Sequence, residues 1–405
     1  MNLSHFALGA TVVSLTLYTT MMALFVRAVL GGRPKRKRPG NAGESGKRAT
    51  LPRVTVFKPL AGRDDDLLAN LESFAHLDYP DYEILLGVAS KTDPAYLVAA
   101  RFVASHPELR ARVHLTDPDA AANPKVAQLL GLERDATGDV FVISDSNVRV
   151  RPTYLSSLVR ELGEPGIGIV WSVFAGVGEQ TVGAALENLQ LCAASIPGLL
   201  ALDAVSERPL TVGKSMAMRA TDLRLLGGFA AVGDVLAEDH ALSRRFLDAG
   251  FAVGTSLDVV ENRNVDCSIR WTVERHTRWS KMRRVLFPLP FVAEPLVNPL
   301  GVAAAAFLLA PSTLTAIAWC VACVLQTCSA MLAVRVLRGS WISWRYVPLE
   351  LVRSYLGLLC WMRACFSRRI EWRGHLFLLG RGTTIEPLGR RDAVAEAHGR
   401  ARLAA

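Results

Sequence analysis

The sequence predicts an α/β domain with a mostly parallel sheet, flanked by apolar helices on its N-terminal and C-terminal sides. Short strand-like runs alternate with helical stretches from residue 53 to about residue 265, which is typical of α/β folds. The stretches 1–26 and 295–334 contain no Asp, Glu, Lys or Arg. The first is long enough for one membrane-spanning helix, and the second is long enough for two with a turn near Pro311.

Composition indicates an integral membrane protein and disfavours a nucleic-acid binder. Of 405 residues, 51% are hydrophobic, and the net charge is +9. Basic residues cluster between Arg27 and Arg48, directly after the first apolar run, rather than over a recognition surface. The positive-inside rule therefore predicts an external N-terminus and a cytoplasmic α/β domain, at the inner membrane if the source is bacterial. The seven cysteines are irregularly spaced, which argues against a disulfide framework.

Short apolar runs bounded by polar residues predict the strands, and amphipathic stretches predict the helices. Helices are expected at Leu67–His76, Ala95–Ser105 and Ser268–Val285. The expected strands are Val54–Phe57, Tyr82–Val88, Val113–Leu115, Val140–Ile143, Gly168–Phe174, Leu210–Met218 and Phe251–Val253.

The same patterns divide the chain into six segments. Charged residues interrupt the apolar segment Tyr346–Phe366, so the sequence leaves open whether it spans the membrane or lies at the interface. The expected segments are a transmembrane helix at 1–26, a basic cytoplasmic linker at 27–52, the α/β domain with interfacial helices at 53–290, a transmembrane hairpin at 291–334, an interfacial or third transmembrane segment with a cytoplasmic tail at 335–388, and a disordered C-terminus at 389–405.

Asp145 and Asn147 directly follow the apolar run Val140–Ile143. Ligands of open α/β sheets bind beyond the carboxyl ends of the strands, so these two side chains are expected to face a ligand. Two oxygen donors at this spacing suit Mg²⁺ or Mn²⁺ gripping a diphosphate. The alternative is an ordinary polar turn after a strand.

Three further groups are candidates for binding or chemistry. Asp93 follows the strand Tyr82–Val88 and either accepts hydrogen bonds from a nucleobase or ribose or caps the next helix. Arg275, Arg278 and Trp279 share one helix face at i, i+3 and i+4. Two arginines suit a diphosphate and an indole suits a sugar face, although a helix–lipid interface would show the same pattern.

The last group consists of Glu238 and Asp239, which open a predicted helix. Acidic residues are common at helix starts, so neither residue alone identifies a site. A carboxylate at this position can also accept a proton from a substrate hydroxyl.

Several motifs in one order resemble the family 2 glycosyltransferases with a "D, D, D, (Q/R)xxRW" signature, and among them the ceramide glucosyltransferases. The resemblance covers about residues 51–290. Its motifs are Phe57-Lys58-Pro59-Leu60, Asn123-Pro124-Lys125-Val126, Asp145-Ser146-Asn147-Val148-Arg149-Val150, Gly213-Lys214-Ser215-Met216-Ala217-Met218-Arg219, Ala237-Glu238-Asp239 and Arg275-x-x-Arg278-Trp279.

The resemblance implies a Rossmann-like GT-A fold, a UDP-sugar donor and a divalent metal. It implies that Asp239 is the catalytic base, and that Trp279 and Glu238 lie on the acceptor side. Asp145 and Asn147 would hold Mg²⁺ or Mn²⁺. The donor-binding residues would be Lys58, Asp93, Lys125, Asp145, Arg275 and Arg278. Two positions depart from the pattern, since Asn147 stands where the ceramide enzymes usually have Gly, and Ile196 where eukaryotic members have His.

The implied activity is inverting transfer of glucose from UDP-glucose to the primary hydroxyl of ceramide. A hopanoid or other lipid glycosyltransferase using UDP-N-acetylglucosamine is the alternative. The nearly uncharged stretch Ala184–Leu202 lies within the α/β region and predicts an amphipathic helix at the membrane interface, beside the active site, with a buried core helix as the alternative. This stretch favours a membrane-lipid acceptor taken from the cytoplasmic leaflet of the bilayer.

Overall fold

The computed structural model contains an eight-stranded mixed sheet, surrounding helices and a small separate sheet. The predicted α/β fold is confirmed. The structure describes residues 3–30, 51–62, 64–206, 208, 210–372 and 375–390. Most of the predicted basic linker and almost all of the predicted disordered C-terminus, residues 31–50 and 391–405, lie outside this range.

The large sheet combines a parallel half with a half that contains antiparallel pairs. Its strands are β1 (Val54–Pro59), β2 (Tyr82–Val88), β3 (Ala111–Leu115), β4 (Val140–Ser144), β5 (Val148–Arg149), β6 (Ile167–Val177), β7 (Ser215–Arg219) and β8 (Ala252–Arg263). They lie in the order β3-β2-β1-β4-β7-β6-β8-β5. Neighbours from β3 to β4 are parallel, β7 runs antiparallel to both β4 and β6, and β6 is parallel to β8.

Apolar residues on both faces explain why β1 and β4 lie at the centre of the sheet. Every residue of these two strands is buried. Phe57 on β1 packs edge-on against Phe141 on β4 and against Phe229. A strand covered on both faces needs such a continuous apolar run, and this is the signal that the sequence carries.

Two strand predictions differ from the structure. Residues 210–214 precede β7 instead of belonging to it, because the backbone of Lys214 turns to accept a hydrogen bond from Asp145 N–H. Strand β8 has 12 residues although only three were expected. Its polar residues obscured it, but pairing along β6 and with the short strand β5 extends it through Arg263.

The helices begin where the sequence supplies caps. The side chain of Asn123 accepts hydrogen bonds from the Lys125 and Val126 amides, and Ser268 caps the helix that begins at Ile269. The helices are α1 (Leu3–Leu30), α2 (Leu67–Ala75), α3 (Pro94–Ser105), α4 (Pro124–Glu133), α5 (Tyr154–Leu162), α6 (Val182–Gln190), α7 (Ile196–Val205), α8 (Ala220–Leu225), α9 (Glu238–Asp248), α10 (Ile269–Leu286), α11 (Pro288–Ala293), α12 (Pro299–Leu309), α13 (Thr313–Arg338) and α14 (Leu349–Phe366).

Three described helical segments are long and apolar enough to cross a membrane: α1, α6 together with α7, and α13. Helices α6 and α7 form one continuous segment because a π-helical turn at Leu191–Ser195 accommodates Pro197, which has no amide hydrogen. The segments 288–297 and 299–309 are bent by 70° and together form a fourth candidate. The turn between α12 and α13 contains Pro311, but α12 has only 11 residues.

Helix α14 corresponds to the segment whose membrane position the sequence left open. It packs against α10 and α6. Its buried Glu350 receives hydrogen bonds from Arg353 at 2.6 and 2.7 Å and from Gln326 of α13 at 3.1 Å, and Arg353 also donates to Gln190. A fully hydrogen-bonded polar network of this kind fixes how α14 docks against α13 and α6.

A three-stranded antiparallel sheet follows α14, where the sequence indicated only a cytoplasmic tail. It consists of β9 (Arg369–Trp372), β10 (His375–Leu379) and β11 (Ile385–Arg390). Leu236, Ile370, Phe377, Leu379 and Ile385 form its small hydrophobic core. The strands are short, and charged residues interrupt β9 and β11, so their apolar alternation is weak in the sequence.

Candidate active site

The direction of β7 brings two distant charged residues together at one edge of the sheet. Because β7 is antiparallel to β4, the start of β7 lies beside the end of β4, with Ser144 paired to Ser215. Asp145 follows one strand and Lys214 precedes the other. The Lys214 ammonium consequently lies 3.0 Å from Asp145 Oδ2.

Lys125, in the first turn of α4, connects Asp145, which was predicted on the donor side, with Glu238, which was predicted on the acceptor side. Its ammonium lies 2.8 Å from Asp145 Oδ1 and 2.9 Å from Glu238 Oε1, and it also donates a hydrogen bond to the Gly213 carbonyl. Asn123, which caps the same helix, places a side-chain nitrogen 3.4 Å from the other Glu238 oxygen. A single buried cation therefore holds residues from β4, α9 and the approach to β7.

The charges in this cluster affect one another strongly. Burial favours a raised pKa for the Asp145 carboxyl, but the ammonium groups of Lys125 and Lys214 outweigh it and hold this pKa well below its usual value. Burial raises the pKa of both Glu238 and Asp239, although the nearby Lys125 ammonium opposes this shift. The site thus contains one strongly acidic carboxylate and a pair of carboxylates with greater proton affinity.

Asp239 has a side chain that is only partly buried and is oriented by two backbone amides. Its Oδ2 accepts the Gly213 N–H at 2.5 Å, and its Oδ1 accepts the His240 N–H at 2.7 Å. Each carboxylate oxygen has a second lone pair, so the group can still accept a proton. A Cβ atom on Gly213 would lie 2.8 Å from Asp239 Cβ, which explains why this position requires glycine.

Asp145 and Asn147, the predicted metal ligands, converge on one cationic position. The Lys214 ammonium lies 3.0 Å from Asp145 Oδ2 and 3.1 Å from Asn147 Oδ1. Two oxygens that face one ammonium also fit Mg²⁺ or Mn²⁺, provided that the lysine moves. In the described part of the chain, no group of three or more His, Cys, Asp or Glu residues forms a metal site. A metal here would take its other ligands from a diphosphate and water.

Asp93 has the structural role that the sequence gave as the alternative. It caps α3 by accepting a hydrogen bond from the Ala95 amide at 2.8 Å. The same carboxylate accepts the Gly62 N–H, at 2.9 Å to Oδ1, and so ties the end of β2 to the loop after β1. Its contact with a nucleotide stays a prediction.

Lys58, a predicted donor-binding residue, lies inside the core, and its contact with the donor stays a prediction. This side chain is completely buried, and its ammonium donates a hydrogen bond to the Asp145 carbonyl at 2.6 Å. It also lies 4.2 Å from the centre of the Phe74 ring, and burial lowers its pKa to about 7. Lys58 therefore supports the Asp145 loop from inside the core and presents no exposed cation to a ligand.

Arg275, Arg278 and Trp279 lie on α10 as the spacing predicts, but the two arginines have different surroundings. Arg275 is buried between the rings of Trp271 and Trp279, and its guanidinium lies 3.4 Å from Glu187 of α6. Arg278 is partly exposed and donates a hydrogen bond to the Glu371 carbonyl on β9. Of the two, Arg278 is the more accessible to a ligand.

Sequence reasoning assigned no individual role to Gly213, Lys214 or Glu187, although all three shape the site. The first two occur in a quoted motif directly before a strand, so the signal was present. Glu187 is the only charged residue in an apolar run, and a lone buried acid of this kind indicates a partner elsewhere in the chain. Its partners are Arg275 and His276, whose Nε2 lies 2.8 Å from Glu187 Oε2.

Comparison with solved structures identifies the fold. The structure resembles a mannosyltransferase from Pyrobaculum calidifontis that was solved with GDP-Man and Mn²⁺, with a TM-score of 0.51 and 19% identity. The match covers 90% of this chain and 99% of the other. The α/β domain thus has the fold of a GT-A glycosyltransferase.

Sequence comparison gives the family. The sequence model of glycosyl transferase family 21 matches residues 10–385, and the chain belongs to this family. It is 27% identical over 248 residues to ceramide glucosyltransferase 1 of Caenorhabditis elegans, a match covering 61% of this chain and 53% of the relative. It is 24% identical over 349 residues to ceramide glucosyltransferase 3 of the same organism, covering 84% and 75%. The resemblance found in the motifs is confirmed.

We expect Gly213→Ala to lower turnover in glycosyl transfer by about 10²-fold, because the added methyl group displaces the Asp239 carboxylate. Gly357→Ala is the matched control, since a Cβ at that position meets nothing within 4 Å. Steady-state kinetics and thermal unfolding of both variants in detergent check this. Unchanged turnover in Gly213→Ala would show that the Asp239 position is not critical.

Proposed function

We propose that this protein is an inverting membrane glycosyltransferase that transfers glucose from UDP-glucose to the primary hydroxyl of ceramide. The observation that carries the proposal is the oriented Asp239 carboxylate beside the cluster that Lys125 forms with Asp145 and Glu238. Membership in glycosyl transferase family 21 and the two related ceramide glucosyltransferases support the choice of substrates.

The reaction needs a base because an alcohol is a weak nucleophile at neutral pH. In the proposed mechanism, Asp239 takes the proton of the acceptor hydroxyl while the oxygen of that hydroxyl forms a bond to the anomeric carbon of glucose. The bond between that carbon and the phosphate oxygen breaks, and UDP leaves with the electron pair. A single displacement inverts the anomeric centre, so an α-linked donor gives a β-glucoside.

The departing UDP gains negative charge that the protein must stabilise. Lys125, Lys214 and Arg278 are the cationic groups that we assign to this task, and positioned charges in a partly desolvated site stabilise such a transition state strongly. A divalent ion bound by Asp145 and Asn147 would supply further positive charge next to the diphosphate. The buried Arg275 would act mainly by holding Trp271 and Trp279 in place.

The segment formed by α6 and α7 supports a lipid acceptor. Its inner face packs into the protein, where Leu200 is fully buried, whereas Leu202 and Val205 are 40% and 66% exposed. In the chain, α7 is followed by the residues that precede β7, among them Gly213. An exposed apolar surface on the segment that precedes Gly213 in the chain suits an acceptor embedded in the bilayer, reached from its cytoplasmic side.

We expect purified protein in ceramide-containing vesicles to convert labelled UDP-glucose to β-glucosylceramide. Asp239→Asn should lower this rate by about 10²–10⁴-fold while UDP-glucose binding persists, because the variant loses the base and keeps the fold. Asp248→Asn, an exposed position on the same helix, is the matched control. Mass spectrometry of the lipids and binding calorimetry are the measurements.

Parallel reactions with UDP-galactose and UDP-N-acetylglucosamine, and with hopanoid lipids, test the substrate assignment. Transfer of N-acetylglucosamine to a hopanoid, with none of glucose to ceramide, would replace the proposed function with the alternative. Near-parental turnover in Asp239→Asn would remove this residue from the role of base.

We expect EDTA to abolish transfer and Mg²⁺ or Mn²⁺ to restore it, because Asp145 and Asn147 provide two converging oxygen ligands. Metal-dependent tightening of UDP binding, measured by calorimetry, gives a second readout that is independent of turnover. Full activity and unchanged UDP binding in EDTA would mean that the lysines alone neutralise the diphosphate.

A further inference from the structure

The C-terminal sheet contacts the loop that leads to Glu238 and Asp239, the two acids at the start of α9. The Leu236 amide donates a hydrogen bond to the Thr383 carbonyl at 2.9 Å, and the Ala237 amide donates to Thr383 Oγ1 at 3.3 Å. On either side of these bonds, Val235 forms a β-bridge with Thr384, and the Ile385 amide donates to the Asp234 carbonyl. A segment about 150 residues further along the chain thus binds four consecutive residues before α9.

Thr383 adopts a conformation that its residue type disfavours. Its φ is +66°, in the left-handed region, and it is fully buried. A β-branched residue rarely occupies this region, so the surrounding structure must hold it there. Glycine would adopt this conformation without strain, but it would lack the hydroxyl that accepts the Ala237 amide.

The start of α9 depends on this contact because it has no cap of its own. Ala237 occupies the N-cap position, and its methyl side chain cannot accept a hydrogen bond from the first-turn amides. Glu238 and Asp239 are the first two residues of the helix. The position of both carboxylates therefore depends on the backbone directly before them as well as on the side-chain contacts described above.

The same sheet also contacts the helix that carries the Arg275-x-x-Arg278-Trp279 motif. Arg278 donates a hydrogen bond to the Glu371 carbonyl, and Lys281 donates one to the Arg369 carbonyl at 2.6 Å. Met282 and Val285 of α10 pack against the core of the sheet, which includes Leu236. One C-terminal element therefore joins the loop before α9 to α10.

We propose that Thr383 is a positioning residue that fixes Glu238 and Asp239 through its hydroxyl, and that the C-terminal sheet sets their position relative to α10. The assignment rests on the proposed function, because it takes Asp239 to be the base. Thr383 touches no substrate and acts only through the backbone of Leu236 and Ala237.

The test compares Thr383→Val with Thr383→Ser. Valine keeps the branched shape and the carbonyl bond to Leu236 but loses the hydroxyl, whereas serine keeps the hydroxyl. We expect kcat to fall about threefold to tenfold in Thr383→Val, with KM for UDP-glucose and for ceramide unchanged, because one hydrogen bond to the helix start is lost. Thr383→Ser should stay close to the parent. Thr384→Val is the matched control, since its hydroxyl donates to the nearby Arg381 carbonyl and not to the loop before α9.

Hydrogen exchange of residues 234–238 provides a readout that does not depend on catalysis. We expect faster exchange of the Ala237 amide in Thr383→Val than in the parent or in Thr383→Ser. A parental kcat in Thr383→Val would overturn the positioning role. So would a rise in KM together with an equal loss of kcat in Thr383→Val, Thr383→Ser and Thr384→Val. If the parent makes no glucosylceramide, the proposed function fails, and the exchange rates still decide whether the Thr383 hydroxyl holds the loop.

Discussion

The ion cluster around Lys125 is the constraint on which the rest of the site depends. One ammonium lies within 3 Å of carboxylate oxygens from Asp145 and Glu238, which are 93 residues apart in the chain. A buried cation needs such partners because removing it from water is costly, and the acids need the cation for the same reason. These charges are tolerated only if three elements keep their relative positions: the end of β4, the start of α4 and the start of α9.

The surrounding elements attach this cluster to the long apolar helices and to the C-terminal sheet. Glu187 of α6 pairs with Arg275 and His276 of α10. Glu350 of α14 pairs with Arg353 of the same helix and accepts a hydrogen bond from Gln326 of α13. Removing one member of such a buried pair costs about 3–5 kcal/mol, so these contacts fix the relative position of the helices. The small C-terminal sheet adds the contact with the backbone before α9.

Much of the fold and half of the site could be predicted from the sequence. A continuous apolar run identified β4, mostly apolar runs identified β1 and β2, and charge-free stretches identified α1 and α13, because burial and bilayer thickness leave strong signals. Strand β8 and the C-terminal sheet carry polar residues, so their pairing depends on distant strands that local patterns do not show. The motifs pointed to Asp145, Lys125 and Asp239, but the charge of Lys58 gave no sign of its complete burial. The contact of Thr383 with Ala237 is purely tertiary and has no local signature.

The most direct test of the role of the cluster is Lys125→Met, which keeps the length of the side chain and removes its charge. The structure predicts a fall in glycosyl transfer of at least about 10²-fold, since charge-assisted contacts to the partly buried Asp145 and the buried Glu238 are lost together. Lys91→Met, at an exposed position, should leave the rate unchanged. Membrane insertion, far-ultraviolet circular dichroism and turnover are measured for both variants. Near-parental turnover in a correctly inserted Lys125→Met protein would contradict the account.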